Sequence, residues 1–519
     1  MTLPYDTFVF SGCELEGRAA RLRYRLMGNG QARSFEERFE LPAGVEESGA
    51  DEGDVAAALA GLHLIAGVSY WKTCCPARIE VEGAGLTAAD AAFWSEVYNR
   101  GLGEMYYRNG LDPAGSASFP GDARAPVRRG MGVRQGTAGA QRGALNGPQP
   151  KRDTGPSAAE ALPAQGKIAA APEAALPAQG GVAAAPEEAL SAAGPPLVLA
   201  GGGKDSVVAW EIVRAAGERG GAPPVEGGPV PLSVVPAGRD WRLAPDLEGR
   251  GLRVIRRLDP GLFELNAAGA YNGHVPFSAI LAFASQLVAV LGGFGAVVAA
   301  NERSASAGNL TAGGVEVNHQ WSKGLRFEEM FQQWQRRHLR RAPVYFSLLR
   351  PLGELRIAQV FAEFPRWFGA VTSCNANFRQ SGEVASRWCG RCAKCVFAAT
   401  VLTPWLDAGG IAAVFGASPL ADPENVPVLR QLLGLADQKP WDCVGTPGET
   451  AAALWLAVRR HGGAELPALG WFEEAVASGQ VEASEQQVAG ELAPSPVHRL
   501  PSQWHDELLR FLAARPPAP

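Results

Sequence analysis

Residues 197–206 read LVLAGGGKDS, and a helix-forming run from Val207 to Arg214 follows. An apolar strand that runs straight into three glycines and then Lys-Asp-Ser at a helix start is a phosphate site. Glycines let backbone N–H groups approach the anion, the helix N-terminus adds positive dipole, and Lys204 supplies a full charge. The loop G-x-x-x-x-G-K-[ST] is not what is written, because the glycines are contiguous and Asp205 separates Lys204 from Ser206.

Downstream, strands and helices alternate. Leu197–Leu199 reads as a strand, Val207–Ala216 as a helix, PLSVVPAG at 231–238 as a second strand and Leu252–Ile255 as a third. An amphipathic helix over Pro276–Leu291 and a strand over Ala296–Ala300 come next. This βαβ rhythm predicts an α/β fold with a doubly wound, mostly parallel sheet. Ligands of such sheets bind beyond the carboxyl ends of the strands. GGGKDS follows the first strand and Asn301-Glu302-Arg303-Ser304 follows the strand at 296–300, so both are expected to face one crevice. Val275–Ala300 carries no charge and has the length of a membrane span. Its apolar residues keep helical spacing up to Leu291, and Gly292, Gly293 and Gly295 then break the helix, which is the signature of a buried helix and strand with no membrane involved.

Outside this region the organisation is read from pattern. TFVFSGCELEG, ARLRYRL and SFEERFEL alternate apolar and polar residues as antiparallel strands. With helices over Val55–Tyr70 and Ala88–Tyr107 they make an N-terminal α+β domain, 1–120, whose chemistry composition does not disclose. Residues 121–194 hold no aromatic and are rich in Ala, Pro and Gly, and ALPAQGKIAAAPEA at 161–174 recurs as ALPAQGGVAAAPEE at 175–188. This segment is expected to be a disordered linker. The catalytic domain is expected over 195–408 and a helical C-terminal region over 409–519.

With 48 Lys and Arg against 53 Asp and Glu, the net charge of -5 argues against a protein that coats nucleic acid. The opening MTLPYDTFVFSG is not a charged segment followed by an apolar run, so a cytoplasmic location is expected. Of eight cysteines, Cys389, Cys392 and Cys395 crowd into C-x-x-C-x-x-C, with Cys374 next upstream. Thiolates spaced this way reach one tetrahedral zinc, and a fourth from a separate strand end closes a structural site. Reduced cysteines packing a helix start would look the same. In all, four polar runs are able to bind magnesium, hold an anion or move a proton: Tyr271-Asn272-Gly273-His274, Asn301 to Ser304, Glu316 to Gln320 with Ser322-Lys323, and the cysteines. QQWQRRHLRR at 332–341 is basic enough for RNA or a diphosphate, though a solvated helix face explains it as well.

The glycine stretch resembles the PP-loop, SGGxDS, of enzymes that split ATP into AMP and pyrophosphate to adenylate a substrate; Gly201 stands where that motif usually has Ser. WCGRCAKCVF is similar to the zinc knuckle of PP-loop 7-cyano-7-deazaguanine synthases. Taken with NGHVPFSAI, NERSASAGN, VNHQWSK, PWDCVGT, VSYWKTCCP and YNRGLGEMYYRNGLD, these stretches resemble the MurL family of UDP-N-acetylmuramoyl-L-alanyl-L-glutamate epimerases over nearly the whole chain apart from 121–194. The resemblance implies a PP-loop (HUP-like) core and an ATP-dependent inversion of the terminal glutamate of a nucleotide-sugar dipeptide. It implies Gly201, Gly202, Gly203, Lys204, Asp205 and Ser206 on ATP, with Asn301, Glu302 and Arg303 beside them. Asp205 and Glu302 would hold Mg2+, and Cys374, Cys389, Cys392 and Cys395 would hold Zn2+. For the proton transfers it leaves His274, His319, Lys323 and Cys443 unranked. Two other readings stay open: an adenylating ligase or RNA-modifying enzyme, and a nucleotide sensor without catalysis. Oligomeric state has no signal in the sequence.

Overall fold

The computed structural model describes residues 4–45, 49–83, 85–122, 194–219, 228–238, 251–378, 386–436 and 438–516. The linker expected over 121–194, with its internal repeat, lies outside the described residues except at its ends. In chain order the strands are β1 (Thr7–Glu16), β2 (Ala19–Gly28), β3 (Gln31–Glu40), β4 (Arg78–Val81), β5 (Pro196–Leu199), β6 (Val230–Pro236), β7 (Leu252–Arg257), β8 (Ala296–Ala299), β9 (Leu310–Ala312), β10 (Val315–Val317) and β11 (Val344–Ser347). One sheet of nine strands runs β11-β8-β5-β6-β7-β3-β2-β1-β4, and β9 and β10 make a separate hairpin.

The five strands from β11 to β7 are mutually parallel. Numbered among themselves they stand in the order 5-4-1-2-3, the doubly wound arrangement whose direction of growth reverses between its first and fourth members. Here those members are β5 and β8, so the reversal opens a crevice between the glycine loop and Asn301–Ser304. Alternation along these short strands feeds two cores. Val198, Val298 and Phe346 face a core completed by the helices Lys204–Glu218, Glu354–Ala362, Ala393–Leu402 and the C-terminal helices. Leu197, Leu199, Val297, Ala299 and Tyr345 face a core completed by the helix Phe277–Gly292 and the N-terminal segment. Being covered on both faces is why these strands read as continuous apolar runs.

The N-terminal strands have no sheet of their own. β3 pairs antiparallel with β7 at Arg38 with Arg257 and Glu40 with Ile255. At this joint Arg256 is buried and pairs with Glu37, 2.5 Å away. The helix Glu52–Ala66 comes close to Phe277–Gly292 through Gly61, where a Cβ would stand 2.5 Å from the Phe283 ring. Phe283 is fully buried against Trp94, Phe331 and Trp334, with ring centroids 4.7–5.1 Å apart. Burial of such a side chain is worth roughly 1.5–3 kcal/mol. Among the described residues one helical stretch, Glu52–Trp71, is long and apolar enough to cross a membrane, and 83% of its apolar window is buried inside the protein.

The basic run at 332–341 belongs to this packing. Trp334 is in the core, His338 hydrogen-bonds Asp90 at 2.8 Å, Arg337 pairs with Asp90, and the Arg340 N–H donates to Asp54. Cations at the end of a helix that meet acidic neighbours stabilise it by complementing the helix dipole.

Candidate active site

Three carboxylates lie just past the carboxyl ends of three adjacent strands. Asp205 follows β5, Glu302 follows β8 and Glu354 follows β11, and they offer oxygens all within 4.8 Å of one another. Glu302 and Glu354 are buried. Lys204 Nζ lies 2.5 Å from Asp205 Oδ1 and also pairs with Glu354. Burial opposes the Lys204 charge, but Asp205 and Glu354 outweigh it and hold its pKa above the usual lysine value. One ammonium shared by two carboxylates cannot satisfy both. Burial, with Asp205, Glu302 and Glu449 nearby, pushes Glu354 up to about 8 despite Lys204. A set of hard oxygens crowded in this way fits Mg2+.

The loop feeding this cluster is open. Gly202 has φ +82°, a left-handed conformation that glycine accepts without strain, and its carbonyl accepts the Thr372 N–H. A Cβ at Gly201 would meet nothing within 4 Å, so the serine usual in the motif would also fit. Gly203 begins the helix Lys204–Glu218 with no side-chain cap, and Ser206 Oγ donates back to the Gly203 carbonyl.

The structure brings the four unranked residues His274, His319, Lys323 and Cys443 into one neighbourhood and adds Glu104. His319 Nδ1 is 2.5 Å from Glu104 Oε2, and the His274 and His319 rings are 4.3 Å apart. Burial opposes charge on His319, but its hydrogen bonds to Cys443 and Glu104 raise it to about 9. Burial also opposes the Cys443 thiolate, yet the positive charges of Lys323, Lys394 and His319 pull it down to about 5. His274, half-buried, loses solvation and lies beside the His319 charge, so it falls to about 3 and stays neutral. Near neutral pH the cluster therefore holds two proton acceptors, the Cys443 thiolate and His274, against two donors, His319 and Lys323.

Buried polar braces fix these loops to one another. Arg350 is 1% exposed, donates to the carbonyls of Glu302 and Lys323, and pairs with Glu328 at 3.1 Å. Asn309 accepts the His319 N–H and donates to the Pro440 carbonyl at 3.0 Å, and Gln320 donates to the Val444 carbonyl. Glu449 completes a capping box with Thr446 and accepts the Glu354 N–H at 2.7 Å, so the Cys443 loop is anchored to the carboxylate cluster. Asn301 donates to Ser347 Oγ at 2.9 Å, holding the end of β8 to β11. Arg303 pairs with Glu491 at 2.5 Å in the C-terminal region, so its guanidinium does not join the three carboxylates.

Cys374, Cys389, Cys392 and Cys395 offer sulfurs within 4.8 Å of one another, with 3.7 Å between Cys389 and Cys395 and 3.4 Å between Cys392 and Cys395. Tetrahedral Zn–S bonds imply S–S separations of about 3.8 Å. Backbone N–H groups of Cys389 and Cys392 point at the sulfurs of Cys374 and Cys389, and Gly390 turns the knuckle at φ +75°. These residues fit zinc.

Comparison with known proteins covers both the glycine-loop and the cysteine-knuckle parts of the chain. The model described as "MurL N-terminal domain" matches residues 2–139 and 161–348, and "MurL C-terminal domain" matches 370–487. The UDP-N-acetyl-alpha-D-muramoyl-L-alanyl-L-glutamate epimerase of Xanthomonas oryzae pv. oryzae is 34% identical over 510 residues, which covers 96% of this chain and 95% of that protein. The chain belongs to the MurL family. Proteins of the same name from a Micromonospora species and from Salinispora tropica are also 34% identical, covering 91% of this chain and 91% and 89% of their own lengths. No solved structure matches. The two MurL domains meet at the site: Asp205, Glu302, His319 and Lys323 come from the first, Cys443 and the knuckle from the second, and Glu354 from the stretch between them.

The thiolate is directly measurable. The pKa of Cys443 is depressed, so its contribution to stability is complete above the unfolded thiol value and is lost as pH falls through about 5. The pKa of His319 is raised, so its contribution is complete below the unfolded imidazole value and is lost as pH rises through about 9. Both charges coexist between those limits. The difference in ultraviolet thiolate absorbance between the native chain and Cys443→Ser is expected to be one thiolate at neutral pH, disappearing near pH 5. A difference that emerges only at the ordinary thiol value would remove the ion pair from the site.

Proposed function

We propose that this chain inverts the terminal L-glutamate of UDP-MurNAc-L-Ala-L-Glu at the expense of ATP, in the synthesis of a peptidoglycan precursor. ATP is a co-substrate at Gly201–Ser206, with Asp205, Glu302 and Glu354 holding Mg2+, which supplies charge neutralisation at the phosphates. The substrate α-carboxylate attacks the α-phosphorus of ATP and pyrophosphate leaves. The resulting mixed anhydride has lost the negative charge that opposes removal of the α-hydrogen, so the carbon acid becomes far stronger. The Cys443 thiolate, with His319 hydrogen-bonded to it, takes that proton. Lys323, the protonated donor of the same cluster, then returns a proton to the opposite face of the α-carbon and sets the D-configuration, with neutral His274 beside it. Water then cleaves the anhydride and releases AMP with the D-configured product.

The observation that carries this reading is the position of Lys323. Burial opposes its charge, but Cys443, Glu302, Asp205 and Glu354 all act on it and together hold its pKa high. One ammonium feels both the carboxylates of the glycine-loop end and the thiolate of the proton-transfer end. An activated carboxyl next to a labile C–H bond needs that adjacency, whereas a ligase or a sensor needs only the first half.

The test supplies UDP-MurNAc-L-Ala-L-Glu, ATP and magnesium in deuterated water and follows pyrophosphate, AMP and α-deuterium. All three are expected. Pyrophosphate without deuterium would make the protein a ligase, and neither signal would make it a sensor. The four knuckle cysteines are proposed to bind structural zinc. Metal analysis should read one zinc per chain, lost in Cys392→Ser, and a native chain purified without chelator that carries none would refute the assignment.

A further inference from the structure

Lys72 is 4% exposed, yet its Nζ reaches the exposed amide of Asn272, 3.1 Å away, which places the ammonium head at the edge of the His274 neighbourhood. Asn272 is held in turn. Its carbonyl accepts from Asn109, its side-chain oxygen accepts the Gly273 N–H, and the Tyr271 N–H donates to the Thr73 carbonyl. The chain leaving Lys72 is bent at Cys75, which adopts φ +47°, and the Cys75 thiol lies 3.5 Å from the Lys72 carbonyl. A backbone turned this tightly at a non-glycine residue keeps Lys72 in a fixed place.

Three other cations of the neighbourhood are paired. Lys204 lies between Asp205 and Glu354, His319 bonds Glu104 and Cys443, and Arg108 pairs with Glu104 at 3.1 Å. Among the described residues Lys323 and Lys439 have no direct ion pair but feel Glu302 and Glu354, whereas no carboxylate pairs with Lys72 and the group that acts on its charge is Cys75. Burial lowers Lys72 to about 8, with a small opposing pull from Cys75, so the ammonium form still prevails at neutral pH. A buried ammonium next to a neutral amide is costly unless an anion from outside completes the site.

We infer that Lys72 and Asn272 receive the side-chain γ-carboxylate of the glutamate whose α-carbon is inverted. The inference rests on the reaction proposed above. With the α-carboxyl at the Asp205–Glu302–Glu354 end and the α-carbon at Cys443, the γ-carboxylate is the remaining charge of the glutamyl residue and must be neutralised beyond His274, where the Lys72 charge is felt. Lys72 would then distinguish glutamate from its amide, since a charge-assisted bond to an ammonium is lost when the oxygen anion becomes an amide.

The experiment compares UDP-MurNAc-L-Ala-L-Glu with UDP-MurNAc-L-Ala-L-Gln by kcat/KM for α-deuterium exchange, in the native chain, Lys72→Met and Asn272→Ala. The native chain should favour Glu by about 100-fold or more, the scale of a charged hydrogen bond in a water-poor site. Lys72→Met should lower the Glu value by about 100-fold and leave Gln within about threefold, collapsing the preference. Asn272→Ala, whose exposed side chain supports no core, should lose about tenfold on Glu alone, and it keeps the inference testable if Lys72→Met fails to fold. Equal losses on both substrates through KM would place Lys72 on a group they share, such as the diphosphate. Equal losses through kcat would make it a proton-transfer group, and an unchanged ratio would remove it from the site. Each of these three overturns the inference while the native chain still turns over; a native chain with no exchange on Glu would instead sink the epimerase reading, and this inference with it.

Discussion

Cys443→Ala is expected to lower α-deuterium exchange by about 1000-fold, within the range that a positioned general base supplies. Substrate-dependent pyrophosphate release should fall by no more than about tenfold, or ~1.4 kcal/mol of barrier. The two effects separate because Cys443 stands at the thiolate end of the cluster, while the phosphate chemistry is proposed for the glycine loop and its carboxylates. The residual loss reflects Lys323, which no longer has the thiolate among the anions that act on it. Cys443→Ser should behave alike, since a hydroxyl in the field of Lys323, Lys394 and His319 does not ionise at neutral pH. Exchange that survives either substitution at native rate would put the base elsewhere.

Asp205→Asn reverses the pattern and is expected to remove pyrophosphate, AMP and deuterium together, each by about 1000-fold, the scale of losing one preorganised electrostatic contact at a developing charge. Deuterium disappears because deprotonation waits on activation of the carboxyl. Folding should be unharmed or slightly improved. Asp205 is only partly buried, and its removal relieves the crowding that pushes Glu354 up. Pyrophosphate release at native rate in Asp205→Asn would show that the loop is not the adenylating centre, and a large drop in melting temperature would show that the carboxylate is structural.

Both experiments depend on residues of unequal legibility. The strand–GGGKDS–helix unit and the polar run after β8 could be read because a parallel strand buried on both faces is continuously apolar and its ligand loop breaks the pattern abruptly. Glu354 could not, since RPLGELR carries no pattern and only the placement of β11 beside β8 brings its carboxylate to Asp205. Glu104 and Lys72 sit in helical segments dense with aromatics, where one charged residue looks like any other until the tertiary fold pairs it. His319 and Cys443 each stand out singly as groups able to move a proton, but no spacing over more than a hundred residues of chain foretells a hydrogen bond between them. The strands near the N-terminus were legible singly, as alternating patterns. Their pairing with β7 was not, because alternation fixes which face is buried and is silent about the neighbour.

That pairing has a topological consequence. Because β3 closes the flank of β7, the segment before residue 120 acts as a gasket as well as a donor of Glu104 and Lys72. A shortened relative that kept the glycine loop but discarded this portion would present a raw row of unpaired amides and carbonyls, prone to stick to other chains.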